Sequence, residues 1–361
     1  MFYIWYNLSK RSIASHKYQG ENDMNNDFTR DAFVLVSDYV KPNTGEDVSD
    51  ALQELILSNP RRVLYFPDGE YLLSKPICTP ANPEHAVSLR LSNFAVIKAM
   101  ESWTDDEALI RLGAAEPFNT IQVNGSNYYL SGGIIDGNDL ANGVSIDSGR
   151  ETRVENVSIK HTKIGLHVKR GANSGSSDAD ICNVNIVGRG TVDSIGLLIE
   201  GMDNTFTNMR IARVQIGVKL IGGGNYLRNI HPLYSLASGF DQYATSIAFC
   251  DLSWENWYDF CYSDQYCTGF YFKDGIRSIC HNCFVYWWKT LEEGEIGFKA
   301  EGKFNSLLSN CKVSFRGDAP NTNFLVGPEG GYGLIENPFF DENKSPDKTY
   351  MNYLQGKVLH P

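Results

Sequence analysis

The chain has 361 residues and a formal net charge of −11 at pH 7. An acidic surface of that size argues against a nucleic-acid interface, and no run of about 20 apolar residues is present to cross a membrane. With 19 Tyr, 19 Phe and 6 Trp, it holds more aromatic rings than a core alone needs, and exposed rings commonly stack on sugars.

Residues 1–30 are polar, Asn-rich and without periodicity, so a poorly ordered N-terminal extension is expected there. The short apolar run Met1–Tyr6 precedes its basic residues, Lys10 and Arg11, which is the reverse of a secretory signal. Residues 1–23, ahead of Met24, read as a loose extension or an artefact of the assigned start, and a cytoplasmic location is the expectation. Phe33–Asp38 then opens a single domain over 31–320. Within it, 47–58 reads as a helix capped near Asp47 or Ser49, with Ala51, Leu52, Leu55 and Ile56 on one face. Arg62–Leu73 reads as strand, Pro67-Asp68-Gly69 turn, strand.

Gly45-Glu-Asp47, the Ala51-Leu-Gln helix and Phe66-Pro67-Asp-Gly69-Glu-Tyr71 resemble the N-terminal entry of the pectate-lyase-like superfamily. The resemblance covers about residues 33–320. It implies a mainly β chain, a single-stranded right-handed parallel β-helix with an N-terminal capping helix. It also implies a protein that cleaves or binds glycans, since tailspikes and many carbohydrate-active enzymes share this entry. A homo-oligomer, such as a trimer, is compatible with it.

From Asn142 to Phe315 the residues themselves carry a repeat. Gly-apolar-x-apolar recurs at Gly143, Gly165, Gly196, Gly217, Gly239, Gly269 and Gly297. Asn-apolar-x-apolar, or its Asp variant, falls between at Asn156, Asn183, Asn208, Asn229, Asp251, Asn282 and Asn310. Two short strands per turn cannot bury an apolar face alone, whereas stacked turns can, so the period predicts a parallel β-solenoid. The glycine is expected at a positive φ where the chain corners, and the asparagine at a second corner, bonded to its equivalent one rung away. Residues 321–361 read as an irregular cap or tail. Cys283 and Cys311 follow the ladder asparagines directly, so they and most of the eight cysteines are expected to be free, buried thiols. Cys280-His-Asn-Cys283 has metal-like spacing but no second pair to complete a zinc site.

Alternation sends the residues two and four after each Gly outward. One face then carries His167, Lys169, Glu200, Lys219, Asp241, Tyr243 and Tyr271. The insertion after Lys169 and the stretch Trp254–Tyr266, with Trp257, Tyr258, Asp259 and Asp264, are expected to flank it as a groove. Rungs are about 4.8 Å apart, which sets Glu200 and Asp241 about 10 Å apart, at the inverting end of the range for paired glycosidase carboxylates. Asp241 and Glu200 are therefore the expected catalytic pair and the other nine residues the expected substrate contacts, with a poly- or oligosaccharide as partner. A glycoside hydrolase that needs no cofactor or metal leads. A lyase using His167, Lys219 or Tyr243 as base, with Ca²⁺ as an option, and a non-catalytic glycan-binding protein are the competing readings. The face bearing Arg210, His231 and Ser253 is the alternative location. The motifs of polygalacturonases, pectate lyases and uronan epimerases are absent, and Asp136-Gly-Asn reads as an ordinary turn.

Overall fold

The computed structural model describes residues 33–116, 128–170, 176–235, 242–289, 294–316, 323–328 and 330–340. The expected N-terminal extension and the chain beyond residue 340 lie outside them. All strand pairings are parallel and link each strand to its counterpart one turn on. The protein is a right-handed parallel β-helix.

Most full coils hold three strands rather than the two expected, and in two successive coils the second and third run on as one strand, Thr205–Ala212 and Tyr226–Leu233. Ile164–Val168, Asp180–Cys182 and Asn185–Gly188 make up one three-stranded turn. The first strands stack into a ten-stranded sheet, here the first face, while the other two stack as the second and third faces. The strand missed in the sequence is three residues long, and its single inward side chain leaves no period to read. That residue is nevertheless always core: Val154, Ile181, Phe206, Leu227, Tyr258, Cys280 and Leu308 are all buried.

Between the second and third faces the chain corners through one residue in the left-handed region. Asn156, Asn183, Asn208, Asn229, Asn282, Asn310 and Asn337 all have φ between 48° and 59° there. Asparagine tolerates that conformation, and side-chain amides bond between rungs, as from Asn229 to Asn208 at 2.8 Å. Asn337 carries the ladder past residue 320, where Leu334–Glu336 and Phe339–Phe340 pair with the coil before.

The recurring glycines do a different job from the one expected. None of Gly143, Gly165, Gly196, Gly217 and Gly269 has a positive φ. A Cβ at any of them would come within 2.2–2.6 Å of the third-face side chain of the same coil: Ile159, Ile186, Ile211, Pro232 or Val285. The glycine is there because first and third faces meet too closely for a side chain.

The fifth repeat is re-registered. Its first-face strand is Ile247–Asp251, and Ala248 occupies the glycine position opposite Gly217. Asp251 is therefore no corner residue but an inward one, between Leu220 and Phe272. Burial pushes its carboxyl up, although Ser278 Oγ (2.6 Å), Tyr258 Oη (2.8 Å), Asn256 Nδ2 (3.0 Å) and Ser253 N (3.1 Å) all donate to it. In the neighbouring inward column the side chains change from aliphatic to aromatic at this coil. Phe249 stacks on Phe270 at 4.5 Å and Phe270 on Phe298 at 5.0 Å.

At the N-terminal end a helix spans Ser49–Ser58 and buries Leu52, Leu55 and Ile56, while Ala51 stays exposed. Gln53 both donates to Cys78 O (2.9 Å) and accepts from Cys78 N (2.8 Å). Its side-chain amide stands in for the missing rung on the edge strand Ile77–Pro80. All eight cysteines are free thiols, six of them buried.

Candidate functional site

Outward alternation holds on the first face. Arg111, Ser145, His167, Leu198, Lys219, Cys250 and Tyr271 form one column, rung by rung. Asp147, Lys169 and Glu200 form the next, each donating its backbone N–H to the preceding strand. Five expected residues, His167, Lys169, Glu200, Lys219 and Tyr271, thus share this face.

Its charges are sorted along the axis. Asp147 accepts from Arg111 Nη2 at 2.5 Å and from Ser145 Oγ, with Lys169 Nζ at 3.2 Å. Burial alone would raise its carboxyl, but those hydrogen bonds and cations hold it below the usual carboxylate range. Lys169 also reaches Glu107 at 2.5 Å. Two rungs along from Asp147, Glu200 has a different partner: His167 Nε2 lies 3.3 Å from its Oε2. The line of approach is poor, so that nitrogen makes no hydrogen bond. Burial lowers the His167 pKa despite the nearby Glu200 charge, which favours the neutral ring. Glu200 also accepts a long bond from the Arg170 N–H, 3.4 Å. Sequence reasoning set Asp147 outward without giving it a role and missed Arg111 and Glu107. The strand Ala108–Ala115 lacks the glycine phrase that aligned the rest.

The remaining expected residues are elsewhere. Asp241 lies outside the described residues, and the column place assigned to it belongs to Cys250. Tyr243 is no surface ligand. It sits buried in a short 3-10 turn, Tyr243–Thr245, with its hydroxyl 3.2 Å from Glu295 and its ring edge-on to Tyr234. Trp254–Tyr266 is no flanking loop, because Trp257–Asp259 and Tyr262–Asp264 are the second- and third-face strands of that coil. Tyr258 points inward and is fully buried, so it offers no stacking surface. Trp257 and Asp259 point outward on the second face, Asp264 on the third. Ser253 is buried beside Asp251 and does not belong to the alternative face.

Two other outward clusters emerge. On the second face Asp259 lies 3.3 Å from Tyr226 Oη, 3.6 Å from Arg228 Nε and 3.3 Å from His281 Nδ1. On the third, His231 Nε2 is 3.6 Å from Asp264 Oδ2, and Tyr262 stacks on the imidazole at 4.2 Å. His231 Nε2 and Asp264 Oδ1 are buried without a hydrogen-bond partner among the described residues. No group of three or more His, Cys, Asp or Glu arranged to hold a metal ion occurs among the described residues, and no described helix is long and apolar enough to cross a membrane.

No family model matches the chain, and no curated protein matches it either. Solved structures do. The tailspike protein of E. coli bacteriophage HK620 superposes with a TM-score of 0.66 at 11% identity, over 92% of this chain and 67% of its own. ORF18 of Geobacillus virus E2 gives 0.61 at 14%, over 88% and 63%, so this chain spans under two thirds of that protein. Endo-xylogalacturonan hydrolase from Aspergillus tubingensis gives 0.58 at 14%, over 84% and 91%. At such identities the likeness is one of fold.

Proposed function

We propose that the chain binds a poly- or oligosaccharide along the first face of the β-helix and hydrolyses its glycosidic bonds there. The single observation that carries this is the Glu200–His167 pair. A general acid must hold and release a proton, which a carboxylate clamped between Arg and Lys does poorly. Asp147 is clamped in that way, whereas Glu200 lies 3.3 Å from an imidazole whose pKa burial lowers. Glu200 is assigned the acid, and Asp147, held ionised two rungs away at about 10 Å, the opposing carboxylate of an inverting pair. Lys219 and Tyr271 continue the face as substrate contacts. Likeness of fold gives weaker support: the HK620 tailspike was solved in complex with a pentasaccharide, and an alginate lyase from Paenibacillus sp. is also similar, at a TM-score of 0.52. A second reading puts the reaction on the third face, where His231 and Asp264 present unpartnered buried atoms.

Incubation with neutral and uronate-containing polysaccharides tests both. New reducing ends without absorbance near 235 nm (the unsaturated uronate band), insensitive to EDTA, are expected. Glu200→Gln should lower turnover about 10²–10⁴-fold and leave Tm nearly unchanged. Asp241→Asn belongs in the same series, since its segment leads into the first-face strand Ile247–Asp251. Unsaturated products would replace hydrolysis by elimination, and binding without products would make the chain a glycan-binding protein. Loss of turnover in His231→Ala but not in Glu200→Gln would move the site to the third face.

A further inference from the structure

The left-handed corner between the second and third faces is occupied by asparagine in seven coils, by Gly132 in the coil before them and by Phe260 in one. Phe260 takes the same conformation, with φ 52°. A bulky residue has no local hydrogen bond to offset that strain. Nor does the core recover the ring, which is 54% exposed. Folding thus gains little from Phe260 on either count, and an asparagine would serve the corner better.

What the ring does instead is wall a groove of about 560 Å³, lined by Thr207, Asn208, Arg228, Asn229 and Phe260. Its floor is the amide ladder, where Asn229 donates to Asn208. A further asparagine at 260 would continue that ladder, and a phenyl ring cannot. On the second-face side stand the exposed ring of Trp257 and the Asp259 carboxylate, flanked by Arg228 and His281. An aromatic plate, amide donors and acceptors, and a guanidinium–carboxylate pair whose charges cancel match a ligand with an apolar face and a hydroxylated edge.

We propose that this corner is a second saccharide subsite, separate from the first face, that holds one neutral pyranose ring against Phe260. The ligand class rests on the saccharide reading above; the site does not require that the chain be an enzyme.

Affinity electrophoresis through gels containing dextran, galactomannan or arabinoxylan, with alginate as the anionic control, tests it using the full chain. The wild type should be retarded in at least one neutral gel, and Phe260→Asn about tenfold less. The same substitution should raise Tm by about 2–4 °C, because it relieves the corner. Glu200→Gln should remain retarded whether or not it has lost turnover, so failure of the hydrolase reading and failure of this one are distinguishable. No retardation in any neutral gel, retardation by alginate alone, or equal retardation of Phe260→Asn would overturn the proposal. A fall in Tm would assign Phe260 to folding. A change in sedimentation on Phe260→Asn would assign the ring to self-association.

Discussion

Single residues in this solenoid are set by their rungs, and the coil that breaks the glycine rule shows how. Ala248 takes the place of glycine, and in the same coil the third-face position that holds Ile159, Ile186, Ile211, Pro232 and Val285 elsewhere is Ser263. One methyl is added on the first face and an aliphatic side chain is removed opposite it. The exchange leaves Ser263 Oγ buried without a hydrogen-bond partner, which is unfavourable by about 1–3 kcal/mol. Ser263→Val alone should therefore destabilise, since overpacking typically costs about 1–3 kcal/mol. The double variant Ala248→Gly/Ser263→Val restores the pattern of the other coils and should be at least as stable as the wild type. Chemical denaturation of the two single variants and the double one measures the coupling. If the effects simply add, the two residues do not share the space.

Among the elements, the N-terminal helix is joined to the strands by few groups, and Asp47 is central among them. Its carboxylate accepts from Ser49 N (3.0 Å), Ser49 Oγ (2.5 Å), Ser74 N (3.1 Å) and Ser74 Oγ (2.5 Å). What burial it has raises its pKa, but these hydrogen bonds outweigh that and bring it down to about 2 from 3.8. A depressed folded-state pKa contributes stability that is present above pH 3.8 and lost as pH falls through about 2. Asp47→Ala should cost about 1 kcal/mol at neutral pH, the typical net worth of a lost hydrogen bond. It should also flatten the acid limb of the stability curve between pH 4 and 2. An unchanged acid limb would mean that the carboxylate is satisfied by water. The helix was legible in the sequence because a capped, 3.6-period apolar face has length to be read. The second-face strands were not, because three residues with one inward side chain have no period, and the helix's own Ala51 was assigned inward on spacing that its neighbours did not need.

Over the whole molecule, stacking made the fold legible and the site less so. A repeated phrase averages out local error, so one misaligned coil out of seven left the β-helix reading intact. A site has no such averaging: taking Gly239 for Ala248 set Asp241 in the place of Cys250 and turned the strands around Trp257 and Asp264 into a loop. First-face residues read from well-aligned coils, His167, Lys169, Glu200, Lys219 and Tyr271, did come together. The buried cysteines include Cys250 and Cys261 of the misaligned coil, and they report on the assembly as a unit. Cys261, Cys283 and Cys311 follow the corner residue in three successive coils, and each thiol lies within 3.6 Å of a backbone carbonyl oxygen, Cys261 with Leu227, Cys283 with Tyr258 and Cys311 with Cys280. Burial pushes the Cys280 thiol up to about 11 and Cys250 likewise, which suppresses the reactive thiolate. Coils of a solenoid bury one another's edges, so these thiols should open to reagent only when neighbouring coils separate. Titration of the native protein should find at most two reactive thiols, the half-buried Cys78 and Cys182. After denaturation without reductant, all eight should react. A native count above two would mean that the C-terminal coils open locally, and a denatured count below eight would mean disulfides that this packing does not contain.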